Sequence, residues 1–142
     1  MKFTTHMLMG LILAFSFAET SNEAAAWLLF SVLPDLPQIL IYPYLGNKYK
    51  RRFFIPHDID WYGFSESRMA AYLNFAPHTF WAWVIIGYLY GPIAIVAYGI
   101  HLLLDWPAHT GEWALRPLWP FSYTLEGFYD GWKIDSWNIL KP

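Results

Sequence analysis

The stretch 69-MAAYLNFAPHTFWAWVIIGYLYGPIAIVAYGIHLLLDW-106 follows Arg68 and contains no Asp, Glu, Lys or Arg before Asp105. Its apolar residues continue without the alternation that a barrel strand requires, so the pattern predicts helix rather than sheet. Gly91-Pro92 interrupts the run with a turn signal. The simplest reading is a hairpin of two helices, 69–90 and 92–106.

Towards the N-terminus lie two further apolar segments, 3–18 and 24–45. Crossing the hydrocarbon takes about 20 helical residues, with roughly 17 as a lower limit. Segments 24–45 and 69–90 meet that length, and tilt or local thinning accommodates the shorter two. The predicted fold class is all-α, an integral-membrane bundle of about four hydrophobic helices with a short interfacial C-terminal tail at 121–142. Residues 1–142 read as one membrane-embedded helical domain. With 56% hydrophobic, 21% aromatic and 14% charged residues, the chain carries more apolar surface than a soluble domain readily hides. It has no cysteine, which excludes disulfides, thiolate metal sites and cysteine nucleophiles. A nucleic-acid partner is not expected, because the one cationic cluster, 48-KYKRR-52, is short and abuts an apolar segment. The oligomeric state is left open.

Charge placement gives an orientation. Lys48, Lys50, Arg51 and Arg52 follow the second segment, Lys2 precedes the first, and Glu19 and Glu23 lie between them. The positive-inside rule then puts both termini and the 46–68 loop in the cytoplasm, with short outer connections at 19–23 and 91–92. The expected location is therefore the cell inner membrane, multi-pass, with the lipid bilayer as partner. Trp61, Tyr62, Tyr88, Tyr90, Trp106, Trp113 and Trp119 fall near segment ends, where amphipathic rings prefer to lie. A competing reading takes Lys2 and 7-MLMGLILAFSFA-18 as a secretory signal cleaved before Glu19, which would yield a soluble secreted product lacking His6.

Polar groups within the apolar runs are few: His6, Asp35, Asn74, His78, His101 and Asp105. An unpaired charge in hydrocarbon costs about 2.5–3.5 kcal/mol on insertion scales, so such residues usually face the bundle interior and one another. Under the derived topology His6 and Asp105 lie near the cytoplasmic ends, while Asp35 and His78 lie roughly 13–16 Å inside the segments. All five ionisable groups can thus converge in the cytoplasmic half. In 101-HLLLD-105 the i, i+4 spacing puts imidazole and carboxylate on one helical face. That pairing suits a divalent metal, Zn²⁺ first, with Mn²⁺ or Fe²⁺ on the same ligand types. Pro107 ends the helix, so His109 is expected to return over the site on a loop. In 33-LPDLP-37 two prolines interrupt a helix around Asp35, and membranes tolerate such breaks where they line a buried or wet cavity. His57, in 56-PHDID-60, reads as a solvated loop residue.

These residues resemble a known family, the membrane-bound metal-dependent hydrolases of bacteria and archaea. The resemblance covers most of the chain in order. The stretch 5-THMLMG-10 is similar to the family's opening His motif, 33-LPDLP-37 to its LPDxD motif and 77-PHT-79 to the His-Ser of its central motif. The most specific match is 101-HLLLDWPAHTGE-112 with 118-LWPFS-122, which is similar to its His-x-x-x-Asp and Trp-Pro-Phe block. The resemblance implies His6, Asp35, His78, His101 and Asp105 as metal-site positions, with His109 as a further candidate. Pro37 stands where the family has its second aspartate, and Leu73 or Asn74 where it has the upstream His-Arg-Gly. Those departures bear on a second metal and on the complete catalytic set.

The expected function is metal-dependent hydrolysis, with a metal-activated water attacking an ester or phosphoester at the cytoplasmic membrane interface. His109 or Asp35 is the expected general base. A phospholipid or isoprenoid phosphate would suit that location, the basic 48–52 stretch attracting anionic head groups. The alternative is a non-catalytic membrane protein that uses the same His and Asp groups for proton or metal-ion transfer, or for helix association.

Overall fold

A computed structural model describes residues 3–38 and 68–129. The described chain is helical, with α1 (Phe3–Phe17), α2 (Ser21–Val32), α3 (Arg68–Phe75), α4 (Phe80–Tyr90) and α5 (Pro92–Asp105). Short 3-10 turns follow at Leu33–Asp35, Trp106–Ala108 and Gly111–Trp113. Among the described residues there is no strand, only an isolated bridge between Leu115 and Leu125.

Local chemistry sets the helix ends. Thr20 caps α2 by accepting from the Glu23 N–H at 3.2 Å, while the Glu23 carboxylate reaches back to the Glu19 N–H at 2.8 Å. This reciprocal pattern satisfies donors that a helix start leaves unpaired. Thr79 caps α4 in the same way, accepting from the Ala82 N–H at 3.1 Å. Between α4 and α5, Gly91 adopts φ 83° and Pro92 starts the next helix. A positive φ is strained for residues with a Cβ, so this tight turn favours glycine.

Two expected segments are shorter than their apolar length. The 69–90 run, read as one helix, is two: it breaks at residues 76–79, where Pro77 offers no N–H to continue the ladder and Thr79 is extended. In the second segment α2 ends at Val32, Pro34 opens a 3-10 turn, and helical backbone resumes at residues 36–38. No helix among the described residues is long and apolar enough to cross a membrane. The longest, α1, has 15 residues, or about 22 Å, against roughly 30 Å of hydrocarbon. Apolar run length counted residues through points where the backbone turns.

Helix α1 packs on α2, α2 on α5, and α5 on α4. Leu13, Trp27, Phe30, Ala94 and Ala97 form the buried core. The α1–α2 contact is close because Gly10 has no side chain. A Cβ built there would lie 2.9 Å from Ser31 Cβ and 3.1 Å from Leu28 Cα. Small residues at such crossings let helix backbones approach. The outer faces are apolar: Leu8, Ile12 and Phe15 on α1 and Ile85, Tyr88 and Leu89 on α4 are all exposed.

This arrangement collects one end of each element. The start of α1, the end of α2, the start of α4 and the end of α5 lie together, opposite the connections at 18–20 and Gly91. Beyond α5, residues 125–129 fold back onto the exit turns. The Gly127 N–H donates to the His109 carbonyl, the Phe128 N–H to that of Pro107, and the Trp106 indole to that of Glu126. Several expectations fall outside the described residues: Lys2, the 39–45 part of the second segment, the cluster Lys48, Lys50, Arg51 and Arg52, His57, Trp61 and Tyr62, and the tail beyond Tyr129.

Candidate metal centre

His6 lies one turn into α1, and Asp35 closes the 3-10 turn after α2. His78 sits in the turn before α4, and His101 and Asp105 occupy the last turns of α5. Their exposures are 1%, 7%, 5%, 1% and 1% respectively, so solvent does little to stabilise the carboxylates. The charge must be met inside.

Asp35, His78, His101 and Asp105 each offer one ligand atom, and all four atoms lie within 4.8 Å of one another. His78 Nε2 is 3.3 Å from Asp105 Oδ2 and 3.5 Å from Asp35 Oδ1. His101 Nε2 is 3.1 Å from Asp105 Oδ2 and 3.7 Å from Asp35 Oδ1. The two imidazole Nε2 atoms are 3.2 Å apart. A four-coordinate cation with ligand bonds of about 2.0–2.2 Å has ligand–ligand edges of about 3.3–3.6 Å. The observed edges bracket that range.

Ring orientation decides what meets there. His78 Nδ1 lies 2.7 Å from the Asn74 carbonyl and His101 Nδ1 lies 2.7 Å from the Ser31 carbonyl. A carbonyl only accepts, so both Nδ1 atoms carry protons and donate, which leaves Nε2 as a lone pair in the neutral ring. Two lone pairs and two carboxylate oxygens therefore point at one position. Metal-binding histidines are usually oriented in this manner, the second nitrogen donating to a carbonyl or carboxylate. Each ionised carboxylate taken out of water carries a penalty of several kcal/mol unless it is compensated. One divalent cation compensates both, whereas a single extra proton compensates one.

His6 is brought into the cluster but stands beside the four. Its Nε2–H donates to Asp105 Oδ1 at 2.9 Å and lies 4.0 Å from Asp35 Oδ2, and its ring stacks on His101 at 3.6 Å between centroids. Asp105 thus turns one oxygen towards His78 and His101 and the other towards His6. Asp35 Oδ2 is buried without a hydrogen-bond partner. His109 returns after the Trp106–Ala108 turn, as Pro107 implied. Its Nδ1–H donates to the Asp105 main-chain carbonyl at 2.7 Å and lies 3.7 Å from Asp105 Oδ1. Burial pushes its pKa down to about 4, so the ring is neutral near pH 7.

Three contributors were not singled out from sequence. Asn74 and Ser31 act through main-chain carbonyls, which no residue type announces. Tyr98, one turn before His101 on the same face, donates its hydroxyl to the Pro77 carbonyl and steadies the turn that presents His78. Its position three residues before His101 was the available signal. Compared with family models, curated proteins and solved structures, the chain matches none.

Proposed function

We propose that this chain is a membrane-embedded, metal-dependent hydrolase in which Asp35, His78, His101 and Asp105 hold one divalent cation. The observation that carries this reading is the meeting of four acceptor atoms while both imidazole Nδ1–H groups are already committed to main-chain carbonyls. Zinc suits two imidazoles and two carboxylates, and manganese or iron would accept the same set. When bound, such a cation lowers the pKa of a coordinated water towards 7 and polarises an ester or phosphoester oxygen. His109 is the first candidate for general base, since its Nδ1–H is held by the Asp105 carbonyl and its Nε2 carries the lone pair. Asp35, with one oxygen unpartnered, is the second.

The resemblance of the His, Asp and Trp-Pro-Phe motifs to the membrane-bound metal-dependent hydrolases supports the reaction class. Apolar outer faces on α1 and α4 support a lipid setting, because exposed apolar surface that gathers into patches marks an interaction site. The positive-inside rule then places the metal end at the cytoplasmic face of the inner membrane.

Elemental analysis of purified wild type beside Asp105→Ala tests the metal. About one equivalent in wild type and none in the variant is expected; equal content in both refutes the site. Turnover of phosphoester and carboxylic ester probes by zinc-loaded and chelator-stripped protein tests the reaction class. Identical rates with and without metal would refute hydrolysis at this centre.

A further inference from the structure

Arg116 precedes Pro117, whose carbonyl holds the start of α4, and takes no part in the group of four. Its guanidinium carbon sits 4.2 Å from the centre of the Phe75 ring. Its Nε is buried without a hydrogen-bond partner, and no carboxylate among the described residues pairs with it. Stacking on an aromatic face compensates part of a cation's lost hydration. It leaves the buried in-plane Nε–H unanswered.

Main-chain hydrogen bonds tie the segments that carry Arg116 and Phe75 to the turn before α4. The carbonyl of the adjacent Pro117 accepts the Phe80 N–H at 2.8 Å, and the carbonyl of Phe75, the residue under the guanidinium, accepts the His78 N–H at 3.0 Å. Arg116 is therefore fastened to the same turn that aims His78 Nε2 at the cation position. A planar guanidinium matches the paired oxygens of a phosphoryl group, which it binds bidentately. A neutral carboxylic ester offers no such anionic pair.

We infer that Arg116 is the substrate's anion receptor, so that the ester processed at the metal centre is a phosphoester whose non-bridging oxygens engage this guanidinium. The inference rests on the hydrolase reading and narrows its substrate class. The phosphoryl group could belong to a lipid headgroup or to a water-soluble ester; Arg116 recognises the chemistry they share.

The test uses the full chain in detergent micelles, loaded with one equivalent of zinc, and inorganic phosphate as the probe in calorimetric titrations. R116Q is expected to bind phosphate at least tenfold more weakly than wild type, and R116K, which keeps the charge but loses the fork, to fall between. Zinc content and circular dichroism are expected to be unchanged in both. Equal phosphate affinity in wild type and R116Q overturns the inference, as does wild type that holds zinc and binds no phosphate. Flotation with phosphatidylglycerol vesicles separates the two sources: R116Q is expected to float like wild type, whereas lost flotation with intact phosphate binding makes Arg116 a membrane anchor and overturns the inference. Zinc content of the wild type judges the hydrolase reading, and the ratio of phosphate affinities judges Arg116.

Discussion

Replacing Gly10 with alanine sets two effects of opposite sign against each other. In an ordinary helix interior Gly→Ala stabilises by about 1 kcal/mol, since alanine loses less backbone entropy. Here the new Cβ would stand 2.9 Å from Ser31 Cβ and 3.1 Å from Leu28 Cα, where carbon contacts settle at about 3.5–4.0 Å. Neither neighbour is the end of a flexible side chain, so α1 must move off α2 by roughly 0.5–1 Å. His6 sits one turn before Gly10 on the same helix, and its Nε2–Asp105 Oδ1 bond is 2.9 Å. A displacement of that size stretches the bond to the edge of hydrogen-bonding distance. Overpacking costs about 1–3 kcal/mol, and weakening a hydrogen bond to a charged group adds up to about 1.5–3 kcal/mol. Net destabilisation of about 1.5–5 kcal/mol is expected when both costs are met in full, after the alanine gain. Denaturant or thermal unfolding of both proteins in the same detergent measures it. A Gly10→Ala variant as stable as wild type, or more so, would refute the close approach of α1 and α2 and with it the placement of His6.

Tyr98→Phe removes the donor to the Pro77 carbonyl and is expected to cost about 1–3 kcal/mol in unfolding free energy, with weaker zinc binding because the His78 turn loosens; unchanged values for both would show that the hydroxyl steadies nothing. His109 has its folded-state pKa lowered by burial to about 4 from an ordinary 6.5, so below pH 6.5 the unfolded chain takes up a proton that the folded chain refuses. Stability is therefore expected to fall as pH drops from about 6.5 to 4, and His109→Gln to flatten part of that fall; parallel profiles for the two proteins would contradict the burial assignment. Stripping a bound metal with a chelator is expected to lower the melting temperature, and restoring zinc at about 1,000 times its dissociation constant to regain about 4 kcal/mol. A melting temperature indifferent to chelator and zinc would count against the metal centre.

The site was more legible in the sequence than the helix lengths. His101 and Asp105 share a face because their spacing equals about one helical turn, and the prolines around Asp35 marked the break that delivers its carboxylate. The expected convergence of groups from separate segments rests on burial cost, since lone charges in apolar runs must find one another, together with the depths that charge placement assigns them. The run 69–90 reads as one helix through His78, although Pro77 and the capping residue Thr79 both stand in it. The apolar run around them masked a stop and a restart. His6 was expected among the metal positions, and it does reach Asp105, yet it lies outside the tight group of four because its Nε2 faces the opposite carboxylate oxygens. The Asn74 and Ser31 carbonyls had no signature at all, being common to every residue.

Main-chain acceptors change how the centre tolerates substitution. The acceptors that fix both ring tautomers belong to the backbone at positions 31 and 74, so a substitution there swaps a side chain and leaves the carbonyl where the helix put it. Drift at Asn74 is thus silent for imidazole orientation while the helix keeps its course, whereas Ser31 faces Gly10 at the α1–α2 crossing and has room only for a small side chain. Vulnerability moves instead to whatever bends α2 or shifts the α3–α4 turn, so damaging variants should cluster among prolines, caps and helix crossings rather than among the residues nearest the rings.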